Sequence, residues 1–393
     1  MEWLFWILVV ILFYSFIGYF WVIGFLARFF PKSSGKNEID PQEWPEITLF
    51  IPAYNELDYI PEKIKNSLEL DYPREKLKIL FLTDGSDDGS TDYLHGQMGI
   101  RVLHEPQRRG KIAAMNRGIR FVDSEIVVFS DCNTYLGKNS LKHIARMFRD
   151  PQTGCVSGEK RIFDQSSEGA SGSGEGLYWK YESVIKKREA AFSSTIGAAG
   201  ELFAIRTALY LPVEPDTILD DFVISMRIAM AGYSIDYNPD AYAIEFASAN
   251  VQEELKRKIR IASGTIQAIG RLSALLNIGC YGRLSFQYWS HKVIRWTITP
   301  LALFSLVAVN AWLALDNPSA FYDYTLAGQT AFYGFAILGF LLRNKELSLK
   351  WVFAPYYFVI MHIAQIRGMI RYINKKQTVN WEKSRRSSGN ANL

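Results

Sequence analysis

The chain has 393 residues, with 44 Lys and Arg against 40 Asp and Glu, for a formal net charge of +4. That balance is too even for a surface built to bind nucleic acid or another polyanion. Three scattered cysteines, Cys132, Cys155 and Cys280, exclude a disulfide framework, and no Cys/His spacing matches a zinc site.

Composition is divided: the middle of the chain is charged, whereas both ends are apolar and aromatic. Trp3 to Ala27 is 25 residues without a charge. At about 1.5 Å per residue, such a helix crosses a hydrocarbon core of roughly 30 Å. It lacks a basic leader and a small-residue cleavage site, which favours an anchor over a signal peptide. Arg28, Lys32 and Lys36 come after it and only Glu2 precedes it. The positive-inside rule therefore expects residues 1–30 to be a span in the cytoplasmic (inner) membrane, with the chain beyond Phe30 in the cytoplasm. Residues 31–46, with Pro31, Gly35, Pro41 and Pro45, read as a linker.

From residue 47 to 250, short apolar runs alternate with helical patterns. Strands are expected over 47–51, 77–82, 100–103 and 126–129, with helices near 59–70, 110–122 and 138–149. That alternation predicts βαβ units, an α/β class and a parallel or mixed sheet. Ser/Gly-rich 166–176 reads as a loop. Further helices are expected at 176–191 and 219–231, the second closed by Gly232.

Residues 251–292 interleave Lys256, Arg257, Lys258, Arg260, Arg271, Arg283 and Lys292 with apolar and aromatic residues. Such a stretch predicts amphipathic helices at the cytoplasmic face of a bilayer, or a solvated helix packed on the domain by its apolar side. Within 293–373, Trp296–Leu315 and Tyr324–Leu342 are long and apolar enough to span. Trp351–Ile366 contains Pro355, His362 and Gln365, so the region has two or three spans. Residues 374–393 form a basic tail.

The chemistry begins at Glu125–Thr134, EIVVFSDCNT, where a buried strand breaks into small and polar groups. Ligands of open α/β sheets bind beyond the carboxyl ends of the strands. There, Asp131 and Asn133 can offer two oxygens to a hard cation bridging phosphates. Pro52-Ala53-Tyr54-Asn55-Glu56 and the acidic turn Thr83–Thr91 are expected at the same edge. The second has glycines for close approach and side chains able to bond a base or ribose. Arg108-Arg109-Gly110-Lys111 opens a helix, which favours phosphate. Asp220-Asp221 opens another, where the carboxylates favour the helix dipole or, facing Asp131, supply a general base.

In this order the motifs resemble those of the membrane-bound glycosyltransferases of family 2, the group of cellulose, chitin, hyaluronan and poly-N-acetylglucosamine synthases. The likeness runs from about Thr48 to Ile261. It implies a GT-A (Rossmann-like) nucleotide-sugar domain between N- and C-terminal transmembrane helices. It also implies inverting transfer from a nucleotide-diphosphate sugar, UDP by default. Pro52, Ala53, Tyr54, Asn55, Glu56, Asp84 and Asp88 would form the nucleotide pocket, with Lys111 close by. Asp131 and Asn133 match the family's metal-binding Asp-x-Asp, for Mg2+ or Mn2+. Asp221 matches the catalytic base that ends Thr-Glu-Asp. Residues 257–261, RKIRI, match Gln-x-x-Arg-Trp, with Arg257 and Arg260 on the donor side. Trp381, Lys383 and Arg386 look like a Trp-x-Lys-x-x-Arg element.

Glu201, Asp220 and Trp381 are acceptor-side candidates. Glu159, Arg161, Glu175, Tyr178, Trp179 and Glu182 are further ones, for which ordinary folding duty is the stronger expectation. The chain also departs from the pattern: Asn133 replaces an Asp, Thr83 stands where many members have a first Asp, and Ile261 replaces the Trp. An aromatic there would be a stacking platform for a sugar. The expectation is transfer to a growing polysaccharide or a lipid-linked acceptor in a bacterial envelope. The alternatives are a single-sugar transferase to a lipid acceptor, or a silent assembly or sensing homologue.

Overall fold

Apolar runs of five to eight residues bounded by polar turns become strands here because helices cover them on both faces. The computed structural model describes residues 1–32, 40, 42–163, 170–246, 251–316, 319–342 and 350–375. The chain begins with α1 (Glu2–Phe13), a π-helical turn and α2 (Tyr19–Phe29), which together make one 28-residue apolar helix.

The central domain then runs β1 (Ile47–Ala53), α3 (Ile60–Leu68), β2 (Leu77–Asp84), α4 (Ser90–His95), β3 (Arg101–Glu105), α5 (Lys111–Gly118), β4 (Ile126–Ser130), β5 (Thr134–Leu136) and α6 (Ser140–Met147). It continues with β6 (Thr153–Phe163), α7 (Ala170–Phe192), β7 (Leu202–Arg206), α8 (Asp220–Met230) and β8 (Ser234–Phe246). All eight strands form one sheet in the order β3-β2-β1-β4-β7-β6-β8-β5. β1 pairs in parallel with β2 on one side and with β4 on the other. The chain therefore reverses its direction of winding at β1, which opens a crevice beyond the carboxyl ends of β1, β2 and β4.

Strand side chains alternate between two cores, as a pleated strand requires. Phe50, Leu80, Leu82, Val127 and Phe129 face α5 and α8, whereas Leu49, Ile51, Ile79, Phe81 and Val128 face α3 and α6. The four expected strands lie within a few residues of β1 to β4, whereas β5 to β8 go beyond what the apolar runs mark. β6 and β8 carry Lys160, Asp236 and Glu245 fully or almost fully buried. Those charges disguise two central strands as polar segments. The Ser/Gly-rich patch also differs from expectation, since α7 already starts at Ala170.

After the sheet come α9 (Val251–Arg271), α10 (Ile278–Gln287), a π-helical turn, α11 (Ile294–Asp316), α12 (Ala320–Leu342) and α13 (Lys350–Ile373). Among the described residues, three helical stretches, Glu2–Phe29, Ile278–Asp316 and Ala320–Leu342, are long and apolar enough to cross a membrane. α13 is a continuous helix that lies along α9. A Cβ on Gly368 would come within 2.4 Å of Ala262 Cβ. Gln365 Nε2 donates to Thr265 Oγ1 at 2.9 Å and to the Trp296 carbonyl at 3.0 Å.

Many basic residues of 251–292 have partners inside the protein. Arg257 and Lys258 pair with Glu254, Arg271 with Asp216, and Lys292 with Glu182. Arg283 donates to the carbonyls of Phe30 and Phe192. These pairs make α9 a wall of the domain. Glu182, an acceptor-side candidate, instead joins α7 to the π-helical turn before α11 through His291 and Lys292. Tyr19 and His291 both hydrogen-bond Glu189, at 2.7 and 2.8 Å, and so tie the first apolar helix to the same joint.

Candidate functional site

β4 ends at Ser130 and the next three residues cross the mouth of the crevice before β5 begins. Thr134 Oγ1 donates to the Asp131 carbonyl at 2.8 Å and closes the turn. Asp131 and Asn133 line a cavity together with Pro52, Ala53, Tyr54, Glu56, Asp84, Lys111, Glu201, Asp220, Asp221, Arg257 and Arg260. Every candidate so named was expected from the sequence, and the fold brings all of them to one place.

Lys111, the first residue of α5, is the electrostatic centre. Its Nζ lies 3.1 Å from Asp131 Oδ1 and 3.2 Å from Asp220 Oδ2. Burial works against its charge, but Asp131, Asp220 and Asp221 outweigh that and hold the ammonium protonated. Burial also raises the Asp131 carboxyl, with Lys111 opposing and Glu201 and Asp220 reinforcing. Asp221 is pushed up to about 7, first by burial and then by its neighbour Asp220. Gly200 permits this crowding, since a Cβ there would sit 3.0 Å from Asp221 Oδ2.

The opposite wall is neutralised differently. Lys160, its side chain 0% exposed, pairs with both Glu201 and Glu245. Burial would raise Glu201, but Lys160 holds its carboxyl down to about 2. Glu201 is therefore ionised at neutral pH, whereas Asp221 gives up its proton far less readily. Two carboxylates in one cavity thus differ in proton affinity because of their surroundings.

At the other end, Asp84 accepts from the backbone amides of Arg109 and Gly110 at 2.8 and 2.6 Å, and so shapes the loop that delivers Lys111. The Arg108 guanidinium stacks 3.8 Å from the centre of the Tyr54 ring, and both line the cavity. Gly85 makes room for this loop. Its φ is +68°, and a Cβ would lie 2.7 Å from the Arg108 amide nitrogen. Gly85→Ala is expected to cost about 1–3 kcal/mol of stability by displacing the Arg108 loop. A thermal melt checks it.

Two candidates fall outside the cavity wall. Asn55, at φ +53°, donates to Asp87 Oδ1 and accepts from the Asp87 amide. Asp88 accepts from Leu57 N and Ser90 N, both at 3.0 Å. Burial would raise the Asp88 carboxyl, and hydrogen bonds from the Ser90 hydroxyl and then from these amides more than reverse that. Both residues stitch the loop after β1 to the loop after β2. Trp381, Lys383 and Arg386 lie outside the described residues.

Glu159 accepts from Tyr237, and Arg161 stacks over Tyr242 at 3.6 Å. Trp179 packs beside Lys160 and Lys186. Sequence reasoning missed Lys63, Lys160 and Glu245. The available signal was a lysine between Ile60 and Ile64 on the apolar side of α3.

Among the described residues no group of three or more His, Cys, Asp or Glu side chains could cage a metal. A carboxylate and an amide oxygen on one turn are hard donors, however. They fit a Mg2+ or Mn2+ ion that completes its shell with phosphate oxygens and water.

The family model for glycosyl transferase family 2 matches residues 48–208. The poly-beta-1,6-N-acetyl-D-glucosamine synthase of Staphylococcus aureus is 26% identical over 270 residues, covering 65% of this chain. That of Staphylococcus epidermidis is 25% identical over 272 residues. The chain spans 64% of the length of these relatives. Among solved structures, a mannosyltransferase from Pyrobaculum calidifontis, in complex with GDP-mannose and Mn2+, superposes with a TM-score of 0.73. It is 23% identical, and the match covers 95% of this chain and 100% of that one. The eight-stranded mixed sheet and its crevice thus have the GT-A fold, the ordered motifs lie in and just beyond the stretch that matches the glycosyl transferase family 2 model, and apolar helices flank the domain on both sides.

Proposed function

We propose that this chain is an inverting, metal-dependent glycosyltransferase of the cytoplasmic membrane. It moves a sugar from a nucleotide-diphosphate donor to a hydroxyl of a growing polysaccharide or lipid-linked acceptor on the cytoplasmic side. The observation that carries the reading is the pairing of Asp221, at about 7, with the Lys111–Asp131 ion pair in one cavity.

Lys111 and Arg260 compensate charge on the leaving diphosphate, and the Asp84-shaped loop seats the nucleotide beside Tyr54 and Arg108. Asp131 and Asn133 would hold a Mg2+ or Mn2+ ion, which when bound neutralises the diphosphate as a Lewis acid. Asp221 takes the proton of the attacking hydroxyl, and a single displacement inverts the anomeric centre. The resemblance of the motifs makes a UDP-linked donor the default, whereas the GDP-mannose of the Pyrobaculum structure keeps GDP in the comparison.

The test is a panel of UDP- and GDP-sugars with full-length protein and Mg2+ or Mn2+, reading nucleotide release and product length. Release from none of the panel would remove the enzyme reading. Ile261 on the cavity wall favours a second reading, single-sugar transfer to a lipid acceptor, because no ring is offered at that position for a sugar chain. One-sugar products on a sizing gel would select it.

The pH profile has a definite sign. A base must be deprotonated, so kcat/KM should fall about tenfold per unit below pH about 7 and level off above it. Rates across roughly pH 5–9 check this. A limb unchanged in Asp221→Asn would assign the titration to another group.

A further inference from the structure

Behind the cavity, one lysine stands where the helix pattern requires an apolar residue. Lys63 is on the inward face of α3 between Ile60 and Ile64, and it is 0% exposed. Its Nζ donates to Ser130 Oγ at 2.7 Å, to the Thr134 carbonyl at 2.8 Å and to Thr134 Oγ1 at 3.4 Å. An ammonium has three N–H donors, and all three are used. Those acceptors flank Asp131, Cys132 and Asn133 on either side. Ser130 Oγ and Thr134 Oγ1 are also 3.1 Å apart, and Ser130 lies 3.3 Å from the Glu201 carbonyl.

Burying an unneeded ammonium is expensive, and a Leu or Met of similar volume would pack α3 at lower cost. The cation is instead placed beneath a turn whose outer side carries a carboxylate and an amide into the cavity. It contacts the turn from the side opposite the crevice and is absent from the cavity wall.

We propose that Lys63 is a positioning residue for the donor site. Its ammonium clamps residues 130–134 so that Asp131 and Asn133 are presented together to the cation and diphosphate, while Lys63 touches neither donor nor acceptor. This rests on the donor-site reading above. The two oxygens are two residues apart on a turn free of regular backbone pairing, so without the clamp they would sample separate orientations. Groups that orient metal ligands from behind typically contribute about 10- to 100-fold in affinity.

The experiment uses the full-length protein in detergent and reads Mn2+ binding by electron paramagnetic resonance, with UDP or GDP added. Lys63→Met is expected to weaken nucleotide-dependent Mn2+ binding roughly tenfold or more. Leu141→Ala, at a fully buried site on α6, is the control. It should lower thermal stability and leave Mn2+ binding unchanged, which separates positioning from general loosening. If Lys63→Met does not fold, Ser130→Ala removes one acceptor and should weaken binding in the same direction. Wild-type Mn2+ affinity in folded Lys63→Met, or in Ser130→Ala where that is the variant used, would overturn the proposal. A wild-type protein that binds no Mn2+ with either nucleotide would instead remove the donor-site reading, and this proposal with it.

Discussion

Asp221→Asn is expected to fold normally and to lose transfer by about 10²- to 10⁴-fold, the range for removal of a general base. Normal folding is expected because Asn is isosteric and the carboxylate it replaces is strained. Burial and the adjacent Asp220 push Asp221 up to about 7. A neutral amide relieves that repulsion, and the space left by Gly200 accommodates it equally well. The linkage has a sign: a carboxyl raised above its unfolded value costs stability as pH rises through it. The variant should therefore match or exceed the wild type in thermal stability above neutral pH. Its donor KM should stay within a few-fold, because Lys111 still contacts Asp131 and Asp220. Loss confined to kcat, with donor binding intact, is the signature of a group acting in the transition state. Turnover retained by a folded Asp221→Asn protein would remove Asp221 as the base.

Legibility in the sequence depended on whether a signal was local. The runs at 47–51, 77–82 and 126–129 are apolar on both faces, so β1, β2 and β4 could be read directly, and their parallel pairing placed Tyr54, Asp84 and Asp131 together. Asp221 was legible as the second of two acidic residues opening α8. β6 and β8 were hidden because Lys160, Asp236 and Glu245 are neutralised by partners far along the chain: Glu201 for Lys160, and Lys32 for Asp236. No local pattern reports a partner 41 or 204 positions away. The hydrogen bonds of Asp88 and Asn55 between two loops were not legible either, because only the fold shows which backbone amides those side chains satisfy. Lys63 was lost because one charge on a short amphipathic helix reads as solvent-facing until α3 is docked on the sheet.

Asp131→Ala, and separately removal of divalent cations with EDTA, should each abolish turnover. Asp131 is the one carboxylate of the turn that could hold a cation, since its companion is the neutral Asn133. With a single negative charge, metal affinity must come largely from the diphosphate, so the metal requirement should ease as nucleotide concentration rises. Asn133→Asp restores the second charge and should tighten Mn2+ binding by roughly tenfold, worth about 1.4 kcal/mol. It should also make that binding less dependent on nucleotide. The fold should survive Asp131→Ala, because Lys111 keeps Asp220 at 3.2 Å as its counter-charge. Metal titrations of the two variants with and without UDP or GDP distinguish the contributions. If Asp131→Ala and EDTA both left turnover unchanged, the diphosphate would be neutralised by Lys111 and Arg260 alone. Asp220 would then suffice to keep Lys111 charged and aimed, and neither the Asp131 carboxylate nor the metal would have a part in the reaction.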